Sequence, residues 1–152
     1  MKRRDFLKVA AATGAVMLVS PSVMVDSFQA RAELRKRSFE EALKEITKGK
    51  TPVESKEVKL IAPSIAENGA VVPIKVEVAK PIEDVKAIHI FADKNHDPWS
   101  CSIHFTPQNG RPYFATRIRL AKTMNVYAVA ELKDGSFIMA KKPIKVTIGG
   151  CG

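Results

Sequence analysis

Between residues 58 and 148 apolar side chains recur at every second position, and a turn signal breaks the pattern every eight to twelve residues. Val58, Leu60 and Ala62 open it. Val72, Ile74, Val76 and Val78 follow, then Val85-Lys86-Ala87-Ile88-His89-Ile90-Phe91, then Trp99, Cys101, Ile103 and Phe105. Phe114, Thr116, Ile118 and Leu120 lead on to Met124, Val126, Ala128, Ala130 and Leu132, and the runs 137–140 and 144–148 close the series. A period of two sends alternate side chains to opposite faces of a strand, whereas a helix needs a repeat near 3.6. About eight strands at this spacing leave no room for βαβ crossovers and predict an all-β, antiparallel β-sandwich.

The breaks carry turn chemistry. Ala66-Glu67-Asn68-Gly69 is expected to be a turn, with Asn-Gly suited to positive φ. Asp93-Lys94-Asn95-His96-Asp97-Pro98, Pro107-Gln108-Asn109-Gly110 and Lys133-Asp134-Gly135-Ser136 are the others. Pro73 lacks a ladder donor and marks an edge strand or a bulge. Ahead of the strands, Ser38-Phe39-Glu40-Glu41 has the form of a capping box, and Phe39, Ala42, Leu43 and Ile46 follow at helical spacing until Gly49. One short amphipathic helix is expected, docked either on its own sandwich or on a partner.

The first thirty-two residues read as an export signal. Lys2-Arg3-Arg4-Asp5-Phe6-Leu7-Lys8 is a basic start with paired arginines, residues 9–19 form an apolar stretch of about eleven, and Ala30-Arg31-Ala32 offers a cleavage site. The stretch falls short of the roughly 20 residues that span a bilayer, although a short N-terminal anchor is the alternative. The expected organisation is therefore 1–32 signal peptide, 33–56 helix and linker, 57–148 β-sandwich, and 149–152 a flexible arm, with the mature protein in the periplasm and off the membrane. Cleavage removes five bases and two acids from a net +9, leaving +6. Only Arg35-Lys36-Arg37 clusters, so the basic residues read as a solvated surface rather than a nucleic-acid footprint.

The candidate chemistry lies in two cysteines. Cys101 falls on the apolar phase of its strand and reads as a packed core thiol. Cys151 stands in Gly149-Gly150-Cys151-Gly152, where no packing pattern surrounds it. Gly149, Gly150 and Gly152 have no side chain to hold them, and four extended residues reach roughly 13–14 Å. An exposed thiol on an exported protein invites oxidation, so a purposeful Cys151 competes with a frayed terminus and outweighs it. A floppy arm cannot hold a base and an orienting group beside the sulfur, as nucleophilic catalysis requires. The terminal carboxylate also disfavours the thiolate. No catalytic residue is therefore assigned; Cys151 reads as a handle on which other proteins act. His89, His96 and His104 lie on two strands and a turn, and neither a metal site nor a cofactor is expected.

The sequence resembles the SoxY family of sulfur carriers. The residues that carry the resemblance are Pro63-Ser64-Ile65-Ala66-Glu67-Asn68-Gly69, Val72-Pro73-Ile74, Ile88-His89-Ile90-Phe91-Ala92-Asp93-Lys94-Asn95, Arg117-Ile118-Arg119-Leu120-Ala121, Val126-Tyr127-Ala128-Val129-Ala130, Asp134-Gly135-Ser136 and Val146-Thr147-Ile148-Gly149-Gly150-Cys151-Gly152. The family implies an immunoglobulin-like sandwich paired with a smaller sandwich protein, SoxZ. It implies that sulfur species of thiosulfate oxidation ride on Cys151. A haem c protein would join thiosulfate to that sulfur, a hydrolase would release sulfate, and in many systems a molybdenum-containing dehydrogenase would oxidise the remaining sulfane. The family tail usually has two glycines after the cysteine, and here one follows. The competing readings are a self-sufficient thiol oxidoreductase or sulfurtransferase, a plain interaction sandwich that uses the tail cysteine only for disulfides, and a ubiquitin-like carrier activated at its carboxylate.

Overall fold

Each β-run identified above needs a second apolar layer to bury its inward face, and the fold supplies one. The structure is a computed structural model and describes residues 37–150. The expected signal peptide, Cys151 and Gly152 lie outside the described residues. Helix α1 (Phe39–Thr47) is followed by nine strands: β1 (Val53–Glu54), β2 (Val58–Ile61), β3 (Ile65–Asn68), β4 (Val72–Val78), β5 (Val85–Ala92), β6 (Trp99–His104), β7 (Tyr113–Ile118), β8 (Met124–Leu132) and β9 (Phe137–Ile148). One sheet has the order β1-β9-β8-β5-β6, with β3 also paired to β9; the other has the order β2-β4-β7. The two sheets enclose one core in an immunoglobulin-like sandwich.

Val72, Ile74, Val76 and Val78 point inward from β4 against Ile88 and Ile90 of β5, Val126 and Ala128 of β8 and Ile144 of β9. Most of these are fully buried, and each Val or Ile so placed contributes about 1.5–3 kcal/mol. The outward phase of β4 stays exposed or half-buried, as its alternation requires. By contrast β5 and most of β8 are buried on both faces. The reason is α1, which packs Phe39, Ala42, Leu43 and Ile46 onto Phe91, Val129, Phe137, Tyr127 and Met139 on the outer side of the larger sheet. The helix thus docks on its own sandwich. Its capping box is formed: Ser38 Oγ accepts from the Glu41 amide and the Glu41 carboxylate accepts from the Ser38 amide.

Several local expectations change. Ile65–Asn68, expected to be mostly turn, is a strand, and β1 and β3 both run parallel to β9 at the margin of the antiparallel sheet. The runs 137–140 and 144–148 are one strand of twelve residues. Pro143 interrupts nothing because β1 pairs only with residues 138–139 and β3 with 145–148, leaving a flank where no donor is needed. Pro73 lies past the end of β2, whose pairing stops at Lys75, so β4 has a free flank there. Trp99 does not share the face of Cys101. A register shift between Ile90 and Phe91 places Trp99 opposite Phe91, on the helix side.

Candidate functional site

The strand that leads to the candidate arm is β9, whose last residue, Ile148, pairs with Asn68 at the end of β3. From there the chain stays on the body for two more residues. The Gly69 amide donates to the Ile148 carbonyl at 2.7 Å, the Leu120 amide to the Gly69 carbonyl at 2.7 Å, and the Gly150 amide to the Leu120 carbonyl at 2.9 Å. Ala70 is set by its own amide, which donates to Asn68 Oδ1 at 2.9 Å. Gly149 and Gly150 therefore lie between the turn after β3 and the segment after β7.

The contact is backbone against backbone and admits no side chain. A Cβ at Gly149 would lie 2.2 Å from the Ala121 carbonyl oxygen, and one at Gly150 would lie 2.7 Å from Ala70 Cα and N. A Cβ at Gly69 would meet the Leu120 oxygen at 2.3 Å and the Gly150 nitrogen at 2.9 Å. None of these obstacles is a flexible side-chain end except Val146 Cγ1, 2.8 Å from the Cβ position at Gly69. Gly149 and Gly150, expected as the first half of a flexible arm over 149–152, make these contacts at its root. The pair is glycine because two backbones must approach closely. Gly69 is likewise a close-approach residue: among the described residues the positive-φ glycines are Gly49, Gly110 and Gly135. Gly69, Leu120 and Ala121 escape sequence reasoning as site residues; Gly69 is visible there only as half of a turn signal. Gly152 and Cys151, the remaining assigned residues, lie outside the described part.

Cys101 sits elsewhere. It is half-buried on β6, packs against the inter-sheet core and backs an open cleft of about 340 Å³ between β6 and β7, where Asn95, Ser100, Arg117 and Arg119 also lie. Burial pushes its thiol pKa up, so the nucleophilic thiolate is disfavoured there.

A second polar cluster lies on the helix side of the larger sheet. Trp99 Nε1 donates to Ser102 Oγ at 2.9 Å, and Ser102 Oγ lies 2.5 Å from His89 Nδ1. The indole N–H donates to Ser102 Oγ, whose second lone pair and own O–H let it pair with His89 Nδ1 in either imidazole tautomer. His89 Nε2 has no hydrogen-bond partner among the described residues and is 3.6 Å from Glu131 Oε2. Burial would raise the Glu131 carboxyl, but the Lys86 hydrogen bond at 2.7 Å and the charges of Lys86 and Lys48 hold it below the usual range. His89 is 4% exposed. Its pKa is lowered, with burial outweighing the attraction of Glu131. Being depressed in the folded state, it supports stability above its ordinary value near 6.5 and withdraws that support as pH falls towards the depressed value. The urea midpoint of the mature protein is thus expected to drop between pH 7.5 and 5.5, and to drop less in His89→Gln. Equal pH slopes in the two proteins would refute the assignment. His104 stands with its ring centroid 6.1 Å from that of His89, His96 lies in the turn after β5, and no cluster of three metal-ligating side chains occurs among the described residues.

Fold and site together define a class: a small immunoglobulin-like sandwich whose glycine pair, clamped by backbone contacts, leads directly into a cysteine. A family model described as "Sulfur oxidation protein SoxY" matches residues 43–151, and a model of the twin-arginine translocation signal matches residues 1–20. The chain belongs to the SoxY family and is exported to the periplasm by the twin-arginine route. Among solved structures, the sulfur carrier protein SoxY from Chlorobium limicola f thiosulfatophilum is 34% identical, with a TM-score of 0.62 over 73% of this chain and 97% of that one. A superoxide reductase (neelaredoxin) from Ignicoccus hospitalis is 20% identical, with a TM-score of 0.52 over 59% of this chain and 79% of that one. The likeness to the reductase is one of fold alone. No curated protein matches the chain.

Proposed function

We propose that this protein is a covalent carrier of sulfur intermediates, attached through Cys151 and presented to partner enzymes of thiosulfate oxidation. It is a carrier subunit and not a catalyst. The observation that carries the reading is that the family match runs through residue 151 and so includes the cysteine. The 34%-identical relative, described as a sulfur carrier, supports it. The contrast between the two thiols adds to this, since Cys101 is built into the sandwich with a raised pKa.

In this reading the Cys151 thiolate and thiosulfate lose two electrons to a haem c protein, and an S–S bond forms between the cysteine sulfur and the outer thiosulfate sulfur. A hydrolase then adds water to the terminal sulfonate. Sulfate and two protons leave, and a persulfide anion remains on Cys151. Where a molybdenum-containing dehydrogenase is present, it oxidises that sulfane in place on Cys151: three waters supply the oxygens of a new sulfonate, and six protons and six electrons leave, the electrons to the dehydrogenase. Each step changes the charge and bulk of the cargo but not its point of attachment. The partners are SoxZ, as a stable second subunit, and the processing enzymes as transient ones.

Intact-mass measurement of natively isolated protein, followed by peptide mapping, tests the proposal. Masses corresponding to added thiosulfate or sulfane are expected on the peptide containing Cys151 and absent from that containing Cys101. Adducts on Cys101, or none on either peptide after incubation with thiosulfate and the processing enzymes, would refute it.

A further inference from the structure

The docked glycines raise the question of what holds their receiving surface in place. The segment after β7 receives the Gly150 amide at the Leu120 carbonyl and abuts Gly149 at the Ala121 carbonyl. This segment has left its sheet, since β7 ends at Ile118. It is gripped from the other side by a single side chain. Asn95 Nδ2 donates to the Arg119 carbonyl at 2.7 Å, and Asn95 Oδ1 accepts from the Ala121 amide at 3.0 Å. Asn95 thus bonds both peptide neighbours of Leu120, 24 and 26 residues away in sequence. On the opposite side Gly69 bonds both Leu120 and Ile148, joining the same segment to the end of β9. Asn95 has its own foundation, because its amide donates to the Ala92 carbonyl at the end of β5 at 3.2 Å.

We infer that Gly69 and Asn95 are positioning residues for the carrier thiol: together with residues 119–121 they form a cradle that clamps Gly149-Gly150 and moves the pivot of the arm from Ile148 to the bond after Gly150. The inference rests on the carrier reading for its purpose but not for its geometry. A chain anchored at Ile148 alone would search a wide volume with the sulfur. A chain clamped through Gly150 presents the sulfur from one fixed point and in a narrow range of directions. The cradle itself is rooted in the sandwich through the buried Leu120 and Gly69, but Gly149 and Gly150 bring no side chain to it and are held by backbone contacts alone, so they leave at lower free energy than the sandwich unfolds. Processing enzymes can therefore meet the thiol clamped, or draw it further out by breaking the Gly150–Leu120 bond. The Asn-Gly and Asp-Lys-Asn motifs, which read from sequence as turns, act in this account as two sides of one device.

The test uses the full mature chain, isolated with any subunit that co-purifies. Amide exchange is followed at Gly150, with Ile90 and Val126 as core reporters, in the wild type, Asn95→Ala, Asn95→Asp and Gly69→Ala. Asn95→Ala removes two hydrogen bonds and is expected to speed Gly150 exchange by about tenfold. Asn95→Asp keeps the acceptor for Ala121 and is expected to fall between it and the wild type. Gly69→Ala drives a Cβ into the Leu120 carbonyl and is expected to release Gly150 at least as far. Ile90 and Val126 are expected to exchange as in the wild type. Charging of Cys151 by thiosulfate and the processing enzymes is expected to slow severalfold in Asn95→Ala while reaching the same final occupancy. Unchanged Gly150 exchange in both Asn95→Ala and Gly69→Ala would overturn the cradle. So would acceleration shared equally by the core amides, or an unaltered charging rate despite a freed Gly150. A wild-type chain that takes no adduct while the variants still free Gly150 would instead remove the carrier reading and leave the clamp supported.

Discussion

Serine at position 151 is expected to bring thiosulfate-dependent sulfate formation down to background in a reaction containing all the processing proteins. The reason is chemical and does not depend on fold. An alkoxide is not accessible near neutral pH, and oxygen cannot form the chain of sulfur–sulfur bonds on which the cargo travels. Both apolar clusters of the described residues are built from side chains that precede Ile148, so the Cys151→Ser protein should keep its urea midpoint. Cys101→Ser is the control and is expected to keep full sulfate output. Its cost should show as lowered stability, since Cys101 packs against the inter-sheet core. Sulfate measured by ion chromatography and adduct mass on the intact protein together decide the matter. Sulfate output from Cys151→Ser comparable to wild type would sink the carrier assignment.

The largest expected effect on stability comes from Phe91→Ala. Phe91 has no exposed surface and stands at the centre of the cluster between α1 and the larger sheet. Its ring meets Phe39 edge to face, with centroids 6.0 Å apart. Truncating a buried phenylalanine to alanine costs about 3–5 kcal/mol, a large part of the roughly 5–15 kcal/mol that holds a typical domain together. Urea unfolding should show this loss, and far-UV circular dichroism should show weakened helix signal before the sheet melts, because the inter-sheet core is a separate cluster. A loss below about 1 kcal/mol would mean that the helix and its cluster contribute little. The loss is also expected to loosen the glycine clamp, because Asn95 is founded on the carbonyl of Ala92, the residue next to Phe91.

The alternation of β4 and β8 and the capping box at Ser38 and Glu41 make the sandwich and its helix legible in the sequence, because a buried face and a helix start each impose residue types at fixed spacing. Other features obey constraints that spacing does not encode. Residues 65–68 form a strand because β9 offers a free flank there, a fact that belongs to the tertiary structure. Trp99 leaves the phase of Cys101 through a bulge, which shifts register without any marker in the side chains. The runs 137–140 and 144–148 read as separate, yet they form one strand, and the tolerance of Pro143 between them depends on the gap between β1 and β3. At the candidate site, Cys151 stands out in the sequence by its chemistry alone. The glycines beside it give no sign of their backbone contacts, since a glycine chosen for freedom and one chosen for close approach are the same letter. Asn95 is equally opaque: an asparagine in a turn usually bonds its own loop, and this one reaches the segment after β7.

If Cys151 carries the sulfur as proposed, the clamp on Gly149 and Gly150 bears on the shape of every protein that services the thiol. One Cα step of about 3.8 Å separates the anchored Gly150 from the cysteine, against three such steps from Ile148. Enzymes that accept the sulfur without disturbing the clamp need reactive centres near their mouths. Those with deep channels must first peel two residues from this chain. In the carrier reading, the depth of a partner's entrance and the hold of one asparagine side chain on a loop of this chain therefore act on the same step.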